Sequence, residues 1–382
     1  MTRDRADDAC PGALQLHPAA DGALARIRLP GGRLDAAQLE ALAHTARDLG
    51  GGALELTARA NLQIRGIADA DTAAVADAVA AAGLLPSPTH ERVRNIVASP
   101  LTGRAGGLVD LRPALTALDA AIAATPELAG LTGRFFFGLD DGRGDVAGMA
   151  PDVGALAVAA DAIALLLGGR DTGIRVPPTE VVALLVEIAV TFAGQRGSAW
   201  RVAELPDPEG LLPDRPRTAP VADTAFPVPR PPIGWIAQDD GRIALGAGVP
   251  LGVLDARLAE FVTAVGAPVI VTPWRSLLIC DLTEDVADTV LRVLAPMGLI
   301  FDENAPLLRV SACTGSPGCE KSAADVRADA VAAAAAAGPA APAVHRHFVG
   351  CERACGSPPG GEVWVATGDA GVYRPRSRDL LG

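Results

Sequence analysis

Two stretches of this chain, 215 positions apart, run through the same order of local signals, and this duplication limits the folds open to it more than any other feature. From Leu34 to Leu49 the apolar positions Leu39, Leu42, Ala43, Ala46 and Leu49 follow helical spacing. Asp35 with Gln38 predicts a capping box and Gly50 a stop. ALELTARANLQIRGI (53–67) alternates as a half-buried strand does, and a second helix is expected from Asp71 to Ala82, ending at Gly83. In the later copy, LDARLAEFVTAVG (254–266) reads as a helix opened by Asp255 and closed by Gly266. PVIVTPWRSLLICDL (268–282) then reads as a strand, and Asp285 to Leu294 as a helix. Thr57 matches Thr272, Gly83 matches Gly298 and Arg94 matches Arg309, each 215 positions apart, while RFFFGL (134–139) matches RHFVGC (346–351) at a separation of 212. Units this long are not solenoid repeats. The expectation is two copies of one α+β domain.

Between the copies, 205–232 is too rich in proline for regular structure and reads as a linker. The segment from about 151 to 195 reads as two helices, the second following Pro177 and Pro178. The most apolar run, Val153 to Leu167, is too short and, with Asp161, too polar to span a membrane, so a buried helix is expected. An alanine-rich helix from about Ala323 to Ala337 breaks at GPAAP.

A formal net charge of −12 argues against sequence-independent nucleic-acid binding, which needs a basic surface. Any anion site must be a local pocket. No apolar run follows the early arginines, so no secretory signal is read and a cytoplasmic location with reduced thiols is expected.

Four of the six cysteines fall in two pairs, CTGSPGC (313–319) and CERAC (351–355). Cys313, Cys319, Cys351 and Cys355, on turns rich in small residues, suit a [4Fe–4S] cluster. A structural zinc site stays open on spacing alone, although five intervening residues fit its knuckles poorly. Cys10 and Cys280 read as a surface thiol and a small core residue, and His345 and His347 as solvated or packed side chains.

Arg59, Asn61, Gln63 and Arg65 alternate along the expected strand and share one face. That face either meets water or forms a wall toward a polyanion, for which arginine is suited. Arg94 and Asn95 lie in RNIVASPLTG (94–103), the first-copy counterpart of the first cysteine loop, and Arg134 opens the counterpart of the second. A pseudo-twofold axis between the copies would bring these segments around one cavity.

Taken together, LTARANLQIRGI, RVRNIVASPLTG, VTPWRSLLI, SACTGSPGC and HFVGCERACGSP resemble the nitrite and sulfite reductase superfamily, and within it the precorrin-3B synthases, over residues 10–376. The resemblance implies an α+β fold of two ferredoxin-like half-domains (10–85 and 233–300) and two larger α+β domains (86–204 and 301–382, the latter carrying the cysteines). It implies a tetrapyrrole between the cluster and a pocket formed by Arg59, Asn61, Gln63, Arg65, Arg94, Asn95 and Arg134, with Arg134 catalytic. In the reductases the tetrapyrrole is sirohaem, and the cysteine matching Cys355 bridges cluster and haem. In the synthases it is the substrate, precorrin-3A, which reacts with O2 to give the lactone precorrin-3B, with NADH as formal reductant and a second, mononuclear iron as an additional centre. Phe136 stands where the reductases keep a second basic residue, Lys321 is the only lysine, and Arg353 stands between the last cysteines; all three favour the synthases. No dinucleotide fingerprint is present, GLDDGRG (138–144) included, so a separate reductase is expected as electron donor. Sirohaem-dependent sulfite or nitrite reduction is the alternative. A protein that only transfers electrons or binds tetrapyrroles is the third reading.

Overall fold

The computed structural model describes residues 8, 10–221, 226, 230–337, 344–358, 360–369 and 371–376. The GPAAP break and parts of the proline-rich stretch lie outside them. The first copy opens with β1 (His17–Ala19), β2 (Gly22–Ile27), β3 (Arg33–Leu34), α1 (Ala36–Leu49), β4 (Ala53–Leu56), β5 (Leu62–Ile67) and α2 (Thr72–Ala81). The capping box forms as expected: Gln38 N donates to Asp35 Oδ1 at 2.8 Å and Asp35 N to Gln38 Oε1 at 3.1 Å. Next come β6 (Ile96–Ala98), α3 (Arg112–Ala124), β7 (Phe137–Asp140), β8 (Val153–Ala159), β9 (Ala162–Leu167), β10 (Arg170–Val176) and α4 (Val181–Gln195). The second copy holds β11 (Gly234–Ala237), β12 (Ile243–Gly248), β13 (Val253–Asp255), α5 (Ala256–Thr263), β14 (Val269–Val271), β15 (Ser276–Leu282) and α6 (Glu284–Leu294). It ends with β16 (Val310–Ala312), α7 (Val326–Ala337), β17 (Arg346–Val349), β18 (Glu362–Ala366) and β19 (Tyr373–Pro375).

These strands form four sheets. Two share one plan, β1-β2-β5-β4-β13 and β11-β12-β15-β14-β3, and each borrows its last strand from the other copy, with Leu254 opposite Leu54 and Leu34 opposite Val269. The exchange makes one continuous core of α1, α2, α5 and α6 over both sheets, including Leu39, Leu42, Leu54, Leu245, Val262 and Leu277. The other two sheets are β10-β9-β8-β7-β6 and β16-β17-β18-β19.

Four sequence expectations change. The stretch 53–67 is not one strand: β4 and β5 run antiparallel, joined by a turn in which Ala60 takes φ +56°. The Thr57 hydroxyl accepts from Asn61 N at 3.0 Å and so closes the turn. Stretch 268–282 folds the same way, with Arg275 at φ +57° and Thr272 in the place of Thr57. The run 153–167 is not a helix but the pair β8 and β9, and Gly168 and Gly169, both at positive φ, turn the chain into β10. Its uniform apolarity comes from burial of both faces, a pattern that does not separate a strand from a buried helix. The stretch 205–221 is no free linker, because Leu205, Leu211 and Leu212 pack on the core of the first larger sheet and Arg217 bridges to Ile174.

By length and composition, Pro178–Gln195 could cross a membrane. Here Leu184, Leu185, Ile188 and Phe192 of α4 pack into that same core.

Candidate functional site

The strands β16, β17 and β18 are parallel, with Ala312 opposite Phe348 and Val349 opposite Val365. Loops that leave their carboxyl ends therefore emerge together: Cys313 directly follows β16, and Cys351 follows β17 and Gly350. Gly350 N points at Cys313 Sγ at 3.4 Å. All four cysteines of the two pairs line one cavity of about 1170 Å³. Burial first, and then the neighbouring Cys313 and Cys351, push the Cys355 thiol up, as expected for thiols facing a common point. A tetrahedral zinc with Zn–S near 2.3 Å needs sulfurs about 3.8 Å apart. Among the described residues no three of these thiols lie within 4.8 Å of one another, and four thiols around one cavity are the donor set that a [4Fe–4S] cluster would take.

The rest of the cavity wall is cationic. Ten cations line it (Arg26, Arg28, Arg59, Arg65, Arg134, Arg201, Arg275, Arg327, Arg353 and Lys321) against three carboxylates, Asp8, Glu55 and Glu320. In a chain of net charge −12 this is a strong local reversal. Arg28 is 4% exposed. Its only described hydrogen bond is a long one, 3.4 Å from Nη2 to Gly133 O, and its Nε has no partner. Burial, then Arg26, push its guanidinium down to about 9. Arg59 is pushed down to about 10 by burial and by Arg201. Such partly desolvated cations make the wall a candidate anion site.

Of the residues expected around the cavity, Arg59, Asn61, Gln63, Arg65 and Arg134 line it. Arg59 sits in the β4–β5 turn, donates to Arg134 O at 2.8 Å and lies over the Phe136 ring at 4.5 Å. Gln63 turns its amide oxygen to Arg26 Nε at 2.9 Å. Arg65 is bound to Asp21 through Nε and Nη2 and to Gly318 O, 2.9 Å away in the first cysteine loop. Arg134 is exposed at the rim, stacked on Trp200 at 5.0 Å.

Arg94 and Asn95 do not reach the cavity. Arg94 makes a two-pronged pair with Asp119 of α3 at 2.7 and 2.8 Å. Asn95, fully buried, donates to Phe135 O and accepts from Asn61 Nδ2. The loop end they precede carries Ser99 and a buried acidic group, Asp140, Asp141 and Asp145, at the place the cysteine loops take in the second copy. Asp140 accepts from four backbone amides, those of Gly142, Gly144, Val146 and Ala147. This group lies outside the cavity lining, and among the described residues the lining shows no comparable cluster of carboxylates and histidines.

Two further expectations are corrected. Cys10 is no surface thiol; it lines the cavity beside Asp8 and is pushed up by burial. Phe136 does not face the cavity: it is 2% exposed, beneath Arg59 and Arg201. Cys280 is a core residue, as read. Sequence reasoning missed Arg26, Arg28, Arg201 and Arg275. Arg26 and Arg28, two apart in ALARIRLPG, carried the same alternation signal as Arg59 and its neighbours. Arg201 carried none, since α4 and its following loop deliver it from a separate segment; Asp152 then holds it at 2.6 Å.

Residues 17–82 match the nitrite/sulfite reductase ferredoxin-like half domain. A precorrin-3B synthase from Sinorhizobium sp is 28% identical over 328 residues, 81% of this chain and 70% of that protein. A ferredoxin–nitrite reductase from Synechococcus elongatus is 35% identical over 127 residues, 31% of this chain and 25% of that protein. The solved structure of the Mycobacterium tuberculosis NirA protein shares the fold, with a TM-score of 0.75 and 18% identity over 92% of this chain and 73% of that one. Residues 17–82 thus carry a nitrite/sulfite reductase ferredoxin-like half domain, within an α+β chain whose fold is that of the NirA structure. Over 81% of its length the chain is a homologue of a precorrin-3B synthase.

Proposed function

We propose that this protein is a precorrin-3B synthase, which oxygenates precorrin-3A and closes the lactone of precorrin-3B. The observation that carries the proposal is a single cavity with four thiols on one wall and partly desolvated arginines on the others. Cys313, Cys319, Cys351 and Cys355 hold a [4Fe–4S] cluster, which supplies one-electron chemistry when bound. Arg26, Arg28, Arg59 and Arg134 bind the acetate and propionate arms of the macrocycle, with Asn61 and Gln63 adding neutral contacts. Of the two atoms of O2, one enters the product and the other leaves as water. The two electrons come from NADH through a separate reductase. A cluster held by four thiolates needs a reducing compartment, which supports a cytoplasmic setting. Residues 233–300 are read as a second ferredoxin-like half-domain because their sheet repeats the order of the first.

Sirohaem-dependent nitrite or sulfite reduction is the second reading, favoured by the 35% identity to a nitrite reductase. Protein purified without oxygen separates the two. A cluster-only absorption spectrum with oxygen-dependent consumption of precorrin-3A is expected. Sirohaem bands with turnover of nitrite or sulfite, and none of precorrin-3A, would overturn the proposal.

A further inference from the structure

Cys355 is the exposed member of the four thiols. The two carbonyls at and after it are both captured by long side chains from elsewhere. His347 Nε2 lies 3.0 Å from Cys355 O, and Arg275 Nη2 lies 3.0 Å from Gly356 O. We propose that His347 and Arg275 are positioning residues that clamp this turn and fix the Cys355 thiol toward the cavity. The proposal rests on the reading of the four cysteines as cluster ligands.

The hydrogen-bond directions follow from chemistry alone. A carbonyl only accepts, so His347 Nε2 carries a proton toward Cys355 O and Nδ1 is left to accept. The Ser311 hydroxyl, 2.8 Å away, donates to that Nδ1, and its oxygen faces His345 Nε2 at 2.7 Å. His347 is fully buried on β17, so the donor has little freedom to turn away. The same logic orients imidazoles around metal sites, where an outer partner fixes ring and tautomer.

Arg275 comes from the opposite direction, out of the β14–β15 turn, where it holds φ +57°. Its stem crosses Gly252, at which a Cβ would lie 2.9 Å from Cδ. Its head meets Gly356, at which a Cβ would lie 2.9 Å from Nη2 and 3.8 Å from His347 Cε1. Both glycines are at positive φ, so the close approach and the backbone call for the same residue at each position. The clamp thus ties the cysteine turn to the second-copy hairpin. Arg275 also carries its positive charge to the Gly356 carbonyl, one residue after the last thiol, and a cation there favours the more negative, reduced state of a cluster held by Cys355.

The test reads the full-length protein in two forms. In the reconstituted form, Arg275→Gln is expected to lower the midpoint potential and alter the electron paramagnetic resonance line shape of the reduced protein, while Arg275→Lys stays near the parent. In the cluster-free form, His347→Leu is expected to raise hydrogen exchange in the peptide 351–357 about tenfold, and His347→Gln, which keeps a donor, to restore it. Arg292→Gln, on the exposed face of α6, should change neither reading. Parent-like potential in Arg275→Gln together with parent-like exchange in His347→Leu would overturn the clamp. If the parent itself takes up no iron and sulfide, the cluster reading falls, and the exchange measurement still decides the clamp. If His347→Leu does not fold, the exchange of Arg275→Gln and Arg275→Lys decides it instead.

Discussion

Arg28→Met should make the empty protein more stable and the loaded one weaker, two effects of opposite sign from one substitution. Methionine keeps most of the unbranched stem and removes the charge. Burial moves the guanidinium from 12.5 to about 9. At 1.36 kcal/mol per pKa unit this corresponds to a cost of about 5 kcal/mol for holding the charge in place, an upper bound on what its removal releases. Replacing whole buried ion pairs by well-packed apolar side chains has been neutral or has stabilised other proteins by about 1–4 kcal/mol. The only described hydrogen bond lost is the long one to Gly133 O. Against this, a lost charge-assisted hydrogen bond to a carboxylate arm costs about 1.5–3 kcal/mol of binding, roughly 10- to 150-fold in affinity. Urea unfolding of cluster-free protein measures the first effect, and titration with a carboxylated porphyrin measures the second. A variant that is less stable by more than about 1 kcal/mol and binds the porphyrin as the parent does would show that Arg28 supports the fold and not the ligand.

Serine at any one of Cys313, Cys319, Cys351 or Cys355 should abolish or degrade the cluster, while Cys10→Ser and Cys280→Ser keep it; full iron and sulfide content in any of the first four variants defeats the assignment. Arg94→Ala strips Asp119 of its partner and should cost about 3 kcal/mol of stability with unchanged porphyrin affinity. Arg59→Ala should instead weaken binding by about 1–3 kcal/mol, and equal affinity losses in the two variants would refute the separation. Burial pushes Asp145 up to about 7 from 3.8, so between these values the folded protein binds a proton that the unfolded chain has lost. Stability therefore falls as pH rises through this window, by up to about 4 kcal/mol for this group. Asp145→Asn should gain most of that at pH 8 and little at pH 4, and the same gain at both would contradict it.

The duplication was legible because matched positions carry matched backbone roles. Thr57 and Thr272 close equivalent turns, and Ala60 and Arg275, also 215 apart, share the left-handed conformation. The meeting of the four cysteines at one cavity was legible for a similar reason: residues delivered by two adjacent parallel strands cluster in sequence. The exchange of β3 and β13 between copies left no trace in periodicity, since a strand of two or three residues is too short to show one. The placing of Arg94 failed for a different cause. An arginine before a strand can face a ligand or a neighbouring helix, and only the position of Asp119 on α3 decides between them.

The same distinction governs Phe136, where the sequence suggested a missing cation. The ring carries Arg59 on it at 4.5 Å and Arg201 at 5.0 Å, so positive charge returns from outside the strand. The two guanidiniums are not equivalent. Arg201 is paired with the fully buried Asp152, whose oxygens also accept from Phe136 N and Val202 N, and its charge is largely offset. Arg59 donates to the Arg134 carbonyl and lies over the ring, and forms no ion pair among the described residues, with Asp152 acting on it only at longer range. A small oxyanion gains most from several unpaired cations converging on one point, where negative charge develops during reduction. A macrocycle with carboxylates on every ring gains more from single unpaired cations set apart along a wall. Arg28 at the Gly133 carbonyl, Arg59 at the Arg134 carbonyl and Arg134 at the rim offer several cations along one wall and not one converging point, which supports the proposed macrocyclic substrate more than the loss of one basic residue does.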